Sequence, residues 1–193
     1  MAKEIIGLYS GSFNPIHQGH LIIADYILQH TSVDKIWFVL SPHNPLKEEI
    51  ELLNQSDRLR LVQMAIEDNE SFVASDVEFS LPKPSYTLNT LEFLSSHYPD
   101  KEFRLIIGQD NLQCFDSWRN YKKILSDYTI YVYPRLGQEG TKFFDQKNVI
   151  RVPAPIIEIS STYIRECIRE SKSIKYLVPK RVREEIEKKE YYL

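Results

Sequence analysis

Residues 7–20 read Gly-Leu-Tyr-Ser-Gly-Ser-Phe-Asn-Pro-Ile-His-Gln-Gly-His, and their types suit a polyphosphate. Gly11 lets a ligand approach the main chain closely, Ser12 and Phe13 can present amides, and Pro15 stiffens the bend that follows. His17 and His20 stand three apart, so both fit one face of a first helical turn, where the helix adds about half a positive charge. A single histidine at a helix start is more often a cap or a satisfied polar residue. A His-x-x-His pair is also a metal-ligand pattern, but no sequence-adjacent Asp, Glu or Cys completes the set of protein ligands that zinc takes. The run matches neither Gly-x-Gly-x-x-Gly nor Gly-x-x-x-x-Gly-Lys-Ser/Thr, which disfavours a nicotinamide-dependent dehydrogenase and an ordinary P-loop ATPase.

A second constellation lies far downstream, at Ile159-Ser160-Ser161-Thr162-Tyr163-Ile164-Arg165. The hydroxyls of Ser160, Ser161 and Thr162 fall where a helix running to Ile168 should start, so they can cap it or bind an anion. Arg165 follows Ser161 by four residues and shares its face, offering a planar fork of donors to phosphate oxygens. A second phosphate contact is therefore the expectation here.

The elements that must carry these residues alternate. Ile5–Tyr9, Lys35–Leu40, Phe72–Val77, Phe103–Ile107 and Tyr128–Tyr133 are short runs rich in Ile, Val, Phe and Tyr, as buried strands are. Helix patterns lie between them at 21–28, at 59–66 after Ser56-Asp57, and at 88–94 after Thr87. Strand and helix in alternation imply right-handed βαβ units, an open parallel sheet covered on both faces, and ligands beyond the carboxyl ends of the strands. The expected fold is thus α/β: a Rossmann-like, doubly wound parallel sheet with a C-terminal helical tail over 179–192. The first motif then falls on the first strand-to-helix turn, where such folds bind phosphates. Gly137 to Lys147, polar with two glycines, reads as a flexible loop.

Composition bounds the remainder. The chain of 193 residues, 42% hydrophobic, is expected to form one domain over 1–193. Acidic residues outnumber basic ones, 27 to 24, so no nucleic-acid partner is expected. Ile5 to Tyr9 is too short for a signal-peptide core or a membrane span, which predicts a cytoplasmic protein without a membrane partner. Cys114 and Cys167 have no neighbouring cysteine and read as two buried free thiols. The charges of a helix over 180–190 are explained by a solvated face, which could equally serve a homo-oligomer.

Gly11 to His20 together with Ile159 to Arg165 resemble the paired signature of the Rossmann-like nucleotidyltransferases. Within that superfamily, Pro84-Ser85-Tyr86-Thr87-Leu88-Asn89-Thr90-Leu91 and Gly108-Gln109-Asp110-Asn111-Leu112, followed by Phe115 and Trp118, resemble the bacterial nicotinate-mononucleotide adenylyltransferases. The resemblance covers nearly the whole chain. It implies transfer of AMP from ATP to nicotinate mononucleotide, with pyrophosphate released. It also implies roles: His17, His20 and Arg165 as catalytic charge-neutralising groups, and Gly11, Ser12, Phe13 and Ile159 to Thr162 around the ATP phosphates. Gly108 and Asp110 would meet the adenosine ribose, while Tyr86, Thr87 and Trp118 would hold the pyridine mononucleotide, Trp118 by stacking and the Thr87 amide at the ring carboxylate. Mg²⁺ would arrive on the phosphates of ATP. Two departures stand out. Lys47 is displaced from the position after Pro-His where the family often has a basic residue, and Phe79-Ser80-Leu81-Pro82-Lys83-Pro84 is a proline-rich stretch where an arginine or glycine is expected before Ser-Tyr-Thr. The nearest rivals act on phosphopantetheine or on nicotinamide mononucleotide, and a non-catalytic nucleotide-binding module is a further alternative. Residues 84–91 and Trp118 argue against phosphopantetheine.

Overall fold

The computed structural model describes residues 2–42, 52–137 and 140–193. Its strands form a parallel six-stranded sheet in the order β3-β2-β1-β4-β5-β6, with β1 at Glu4–Gly11, β2 at Lys35–Leu40, β3 at Phe72–Ser75, β4 at Lys101–Gly108, β5 at Ile130–Tyr133 and β6 at Val149–Arg151. The order reverses between β1 and β4, where the two halves of the sheet meet.

Alternation along each strand divides the core into two layers. Tyr9, Ile36, Phe38, Leu40, Ile106, Tyr131 and Tyr133 face one side, where they meet α1 (Gln18–His30), α2 (Gln55–Ile66), α6 (Ser161–Arg169) and α7 (Lys180–Lys189). Ile6, Leu8, Val39, Phe103, Leu105, Ile107, Ile130 and Val132 face the other, against α3 (Thr87–His97), α4 (Gln109–Gln113) and α5 (Tyr121–Asp127). Helices on both faces are what the strand–helix alternation requires. The helices follow from their stripes and caps. In α2, Leu61, Val62, Ala65 and Ile66 are buried, and the Asn54 side chain caps the start by accepting from the Ser56 amide at 2.9 Å. In α3, Leu88, Leu91 and Leu94 make the buried line.

Several local expectations are corrected. The third strand ends at Ser75 instead of Val77, because Val77–Phe79 turns into a 3₁₀ segment that buries Glu78. β6 is three residues long with Ile150 and Arg151 exposed, too short to leave a pattern in the sequence. The predicted loop 137–147 contains a 3₁₀ turn at Lys142–Asp145, capped by Thr141, which buries Phe143 against the second layer. Cys167 is buried as expected, but Cys114 is exposed at the end of α4, which is too short to carry it into the core. Among the described residues no helix is long and apolar enough to cross a membrane.

Gly7 sits mid-strand in β1 because the space beside it is taken. A Cβ there would lie 2.7 Å from Ile106 Cδ1 and 2.8 Å from Ile36 Cδ1. Both are movable side-chain ends, so Gly7→Ala should fold with a loss of about 1–3 kcal/mol, measurable by urea unfolding. An unchanged midpoint would show that this contact does not limit the core.

Candidate active site

A cavity of about 550 Å³ opens at the carboxyl ends of β1 and β4, where the strand order reverses. It gathers the residues expected from sequence: Gly11, Ser12, Phe13, His17 and His20 from the first turn, Ile159 to Thr162 and Arg165 from the start of α6, Gly108 at the end of β4 and Asp110 just beyond it, and Tyr86, Thr87 and Trp118. Lys47 lies outside the described residues.

The first turn is bent by Phe13, whose φ of 43° is in the left-handed region that a bulky side chain seldom adopts, and by a cis Asn14–Pro15 bond. Three of its carbonyls are taken by side chains from elsewhere. Arg58 of α2 donates to the Ser12 carbonyl at 2.6 Å, Arg165 donates to that of Asn14 at 2.9 Å, and the Ser161 hydroxyl donates to that of Pro15 at 2.8 Å. Ser160 accepts from the Tyr163 amide at 3.1 Å and so caps α6. The alternatives of capping and anion binding therefore divide by atom: the Ser160 and Ser161 oxygens serve the fold, while the Ser161 and Thr162 amides and the Thr162 hydroxyl precede the first intrahelical bond on the cavity wall.

His17 is the N-cap of α1 and His20 its third residue, and their rings stack at 3.7 Å. The His17 amide donates to His20 Nδ1 at 3.3 Å, which places the proton of a neutral His20 ring on Nε2. The edge of Phe13 supports the His20 ring at 5.1 Å. Burial, reinforced by the Arg135 guanidinium, pushes His17 down to about 3. At neutral pH His17 is therefore an uncharged hydrogen-bonding group, and the guanidinium groups lining the cavity are those of Arg119, Arg135 and Arg165.

Arg135 was missed in the sequence. It stands just past β5, holds Asp110 in an ion pair with Nε to Oδ1 at 3.7 Å, and packs over the Tyr133 ring at 5.2 Å. The signal was available, since a basic residue beyond the carboxyl end of a strand is where this fold places ligands. Gly108 makes room for the pair: a Cβ there would lie 2.3 Å from Asp110 Oδ1. Trp118 leans on Phe115, with ring centroids 5.0 Å apart, and Arg119 lies 4.8 Å over the Tyr86 ring. Tyr86 is the N-cap of α3 and makes no side-chain cap, so the helix begins at the cavity wall with its first amides uncapped by a side chain. Glu78, buried on the same wall, accepts from the Thr90 hydroxyl at 3.0 Å, and burial raises its carboxyl above the usual range. Among the described residues, Ser10 Oγ, His17 Nδ1, Trp118 Nε1 and Arg135 Nε are buried around this cavity without a hydrogen-bond partner. Buried groups of this kind call for a partner such as water, an ion or a ligand.

Fold and site define a cytidylyltransferase-like protein, and residues 8–167 match that family's model. Among curated relatives, the probable nicotinate-nucleotide adenylyltransferase of Cytophaga hutchinsonii is 51% identical over 97% of each chain. That of Flavobacterium johnsoniae is 48% identical over 97% of this chain and 98% of the relative. The chain belongs to this nicotinate-nucleotide adenylyltransferase family. The fold is also that of the Plasmodium falciparum nicotinic acid mononucleotide adenylyltransferase complexed with NaAD, with a TM-score of 0.84 at 20% identity over 98% of this chain and 97% of that one.

The depressed His17 makes stability depend on pH. The unfolded chain protonates this ring near its ordinary value of 6.5, whereas the folded chain does so only near 3. The unfolded state binds more protons between those values, so the stabilisation is complete above 6.5 and is lost as pH falls toward 3. At about 1.4 kcal/mol per unit, this group should cost the protein about 2 kcal/mol between pH 6.5 and pH 5. Urea unfolding of the native protein and of His17→Asn at both pH values checks this; equal losses in the two proteins would refute it.

Proposed function

We propose that this protein transfers the adenylyl group of ATP to the 5′-phosphate of nicotinate mononucleotide, forming nicotinate adenine dinucleotide and pyrophosphate in NAD biosynthesis. A phosphate oxygen of the mononucleotide attacks the α-phosphorus of ATP as the bond to the β-phosphate oxygen breaks. An ionised phosphate is already a nucleophile, so the site needs no general base; positioning and charge stabilisation supply the acceleration. The observation that carries this reading is the meeting, in one cavity, of two phosphate-directed motifs with an aromatic, helix-capped end.

The residue roles follow from that arrangement. The amides of the Gly11 to Phe13 turn and the start of α6 at Ile159 to Thr162 cradle the triphosphate. His20, His17 and Arg165 stabilise charge on the transferring and leaving phosphates, with His17 acting through hydrogen bonding. Asp110, oriented by Arg135 over Gly108, accepts from the adenosine ribose hydroxyls. Trp118 stacks on the pyridine ring, and the Thr87 amide at the positive end of α3 meets its carboxylate while Tyr86 flanks it. The cavity wall is rich in amides, hydroxyls, imidazoles and guanidinium groups, which ligate phosphate oxygens. That donor set fits a Mg²⁺ held by the phosphates and water, carried in with ATP. When bound, the ion would neutralise part of the triphosphate charge. We also place the reaction in the cytoplasm and assign it to one domain over 1–193.

His20→Ala should lower kcat about 100- to 1,000-fold, the cost typical of losing one donor to a developing oxyanion, with the thermal midpoint little changed. Initial rates of pyrophosphate release with nicotinate mononucleotide, nicotinamide mononucleotide and phosphopantetheine test the substrate. Preference for either of the latter two would replace the acceptor proposed here, and near-normal turnover by His20→Ala would remove that residue from the mechanism.

A further inference from the structure

Arg58 stands in the first turn of α2 on the stripe of Leu61, Val62 and Ala65, yet only 1% of its surface is exposed. A guanidinium so deeply buried must have its donors engaged. Nε donates to the Leu53 carbonyl at 2.8 Å, Nη1 to those of Ser12 at 2.6 Å and Ser41 at 2.9 Å, and Nη2 to that of Pro42 at 3.2 Å. These oxygens belong to three separate stretches of chain: the turn after β1, the exit of β2 and the approach to α2. The same stretches supply Ser12, Ser41 and Leu52 to the cavity wall.

We propose that Arg58 is a positioning residue for adenylyl transfer, fixing the Ser12–Phe13 peptide so that the Phe13 amide faces the triphosphate. The proposal rests on the reaction given above. In a planar trans peptide the carbonyl and the following N–H point in opposite directions, so drawing the Ser12 oxygen toward α2 turns the Phe13 N–H away from it. The turn needs this restraint. Phe13 occupies a sparsely populated backbone region, which persists only where the surroundings over-determine it. The Tyr192 ring from the C-terminal end packs into the same layer, and the charges of Arg58 and Arg165 act on its hydroxyl. A lysine could keep the charge but could not span the three stretches, since its donors radiate from one nitrogen.

Arg58→Lys in the full chain tests this by steady-state kinetics with ATP and nicotinate mononucleotide, well below the melting temperature. The expected result is a kcat about 100-fold lower with each KM within a few-fold, because the substrates still bind but the reacting groups are misaligned. In Arg58→Ala, added ethylguanidinium should recover activity while the same concentration of sodium chloride does not; if that variant fails to fold, Arg58→Lys decides. Amide hydrogen exchange at Phe13 should be faster in Arg58→Lys. A folded Arg58→Lys with native kcat, a kcat loss that merely follows the folded fraction, or unchanged Phe13 exchange would each overturn the proposal. A native protein inactive on these substrates would instead overturn the assigned reaction, and the exchange measurement would still judge the clamp.

Discussion

A turn that presents main-chain amides to a cavity has a geometric requirement: the carbonyls of the turn must be held somewhere else. In this protein the Ser12, Asn14 and Pro15 carbonyls are held by Arg58, Arg165 and Ser161. Two of those three groups belong to the downstream motif. The hydroxyl and guanidinium that look like phosphate ligands in the sequence are thus also the bonds that fasten α6 to the first turn, across separations of 146 and 151 residues. The two motifs work as one unit because each needs the other for its shape. An anion approaching the unit meets the starts of α1 and α6 together, each with a partial positive charge.

That coupling also explains the electrostatics. His17 is buried by the packing that seats α1 against the turn and against Ile157, and a buried imidazole beside Arg135 does not hold a proton at neutral pH. Positive charge is left to guanidinium groups, which burial cannot readily neutralise. Arg135 is itself anchored by Asp110 and Tyr133, so the carboxylate and the cation fix one another at the mouth of the cavity.

Much of this was legible in the sequence where neighbours in the chain are neighbours in space. Gly11 to His20 and Ser160 to Arg165 each lie within a single turn or helix start, so spacing alone reports their geometry. The alternating strands were legible for the same reason, each being a local pattern of period two. Arg58 was not, although it breaks the apolar stripe of α2, because its partners are carbonyls of three distant stretches, and carbonyls carry no residue signature. Arg135 escaped because its meaning comes from the strand that precedes it and from Asp110 on another strand end. Phe143 and β6 were hidden in a polar stretch whose few apolar residues are too sparse to make a period, and Cys114 read as buried because its exposure depends on the short length of α4.

The place of the cavity follows from the topology more than from any side chain. β1 and β4 are neighbours whose connections leave to opposite layers, α1 to one and α4 to the other, so a crevice opens between them. Their register pairs Tyr9 with Ile106. Two residues further along each strand stand Gly11 and Gly108, so the two chains enter the crevice with no side chain between main chain and ligand. A residue with a Cβ at Gly108 would drive into Asp110, and one at Gly11 would meet the Phe13 ring at 3.0 Å. Each glycine is therefore required by the group that follows it, and both groups face the same crevice. Opening the sheet at this seam leaves bare backbone on the floor of the crevice, with the starts of α1 and α6 beside it.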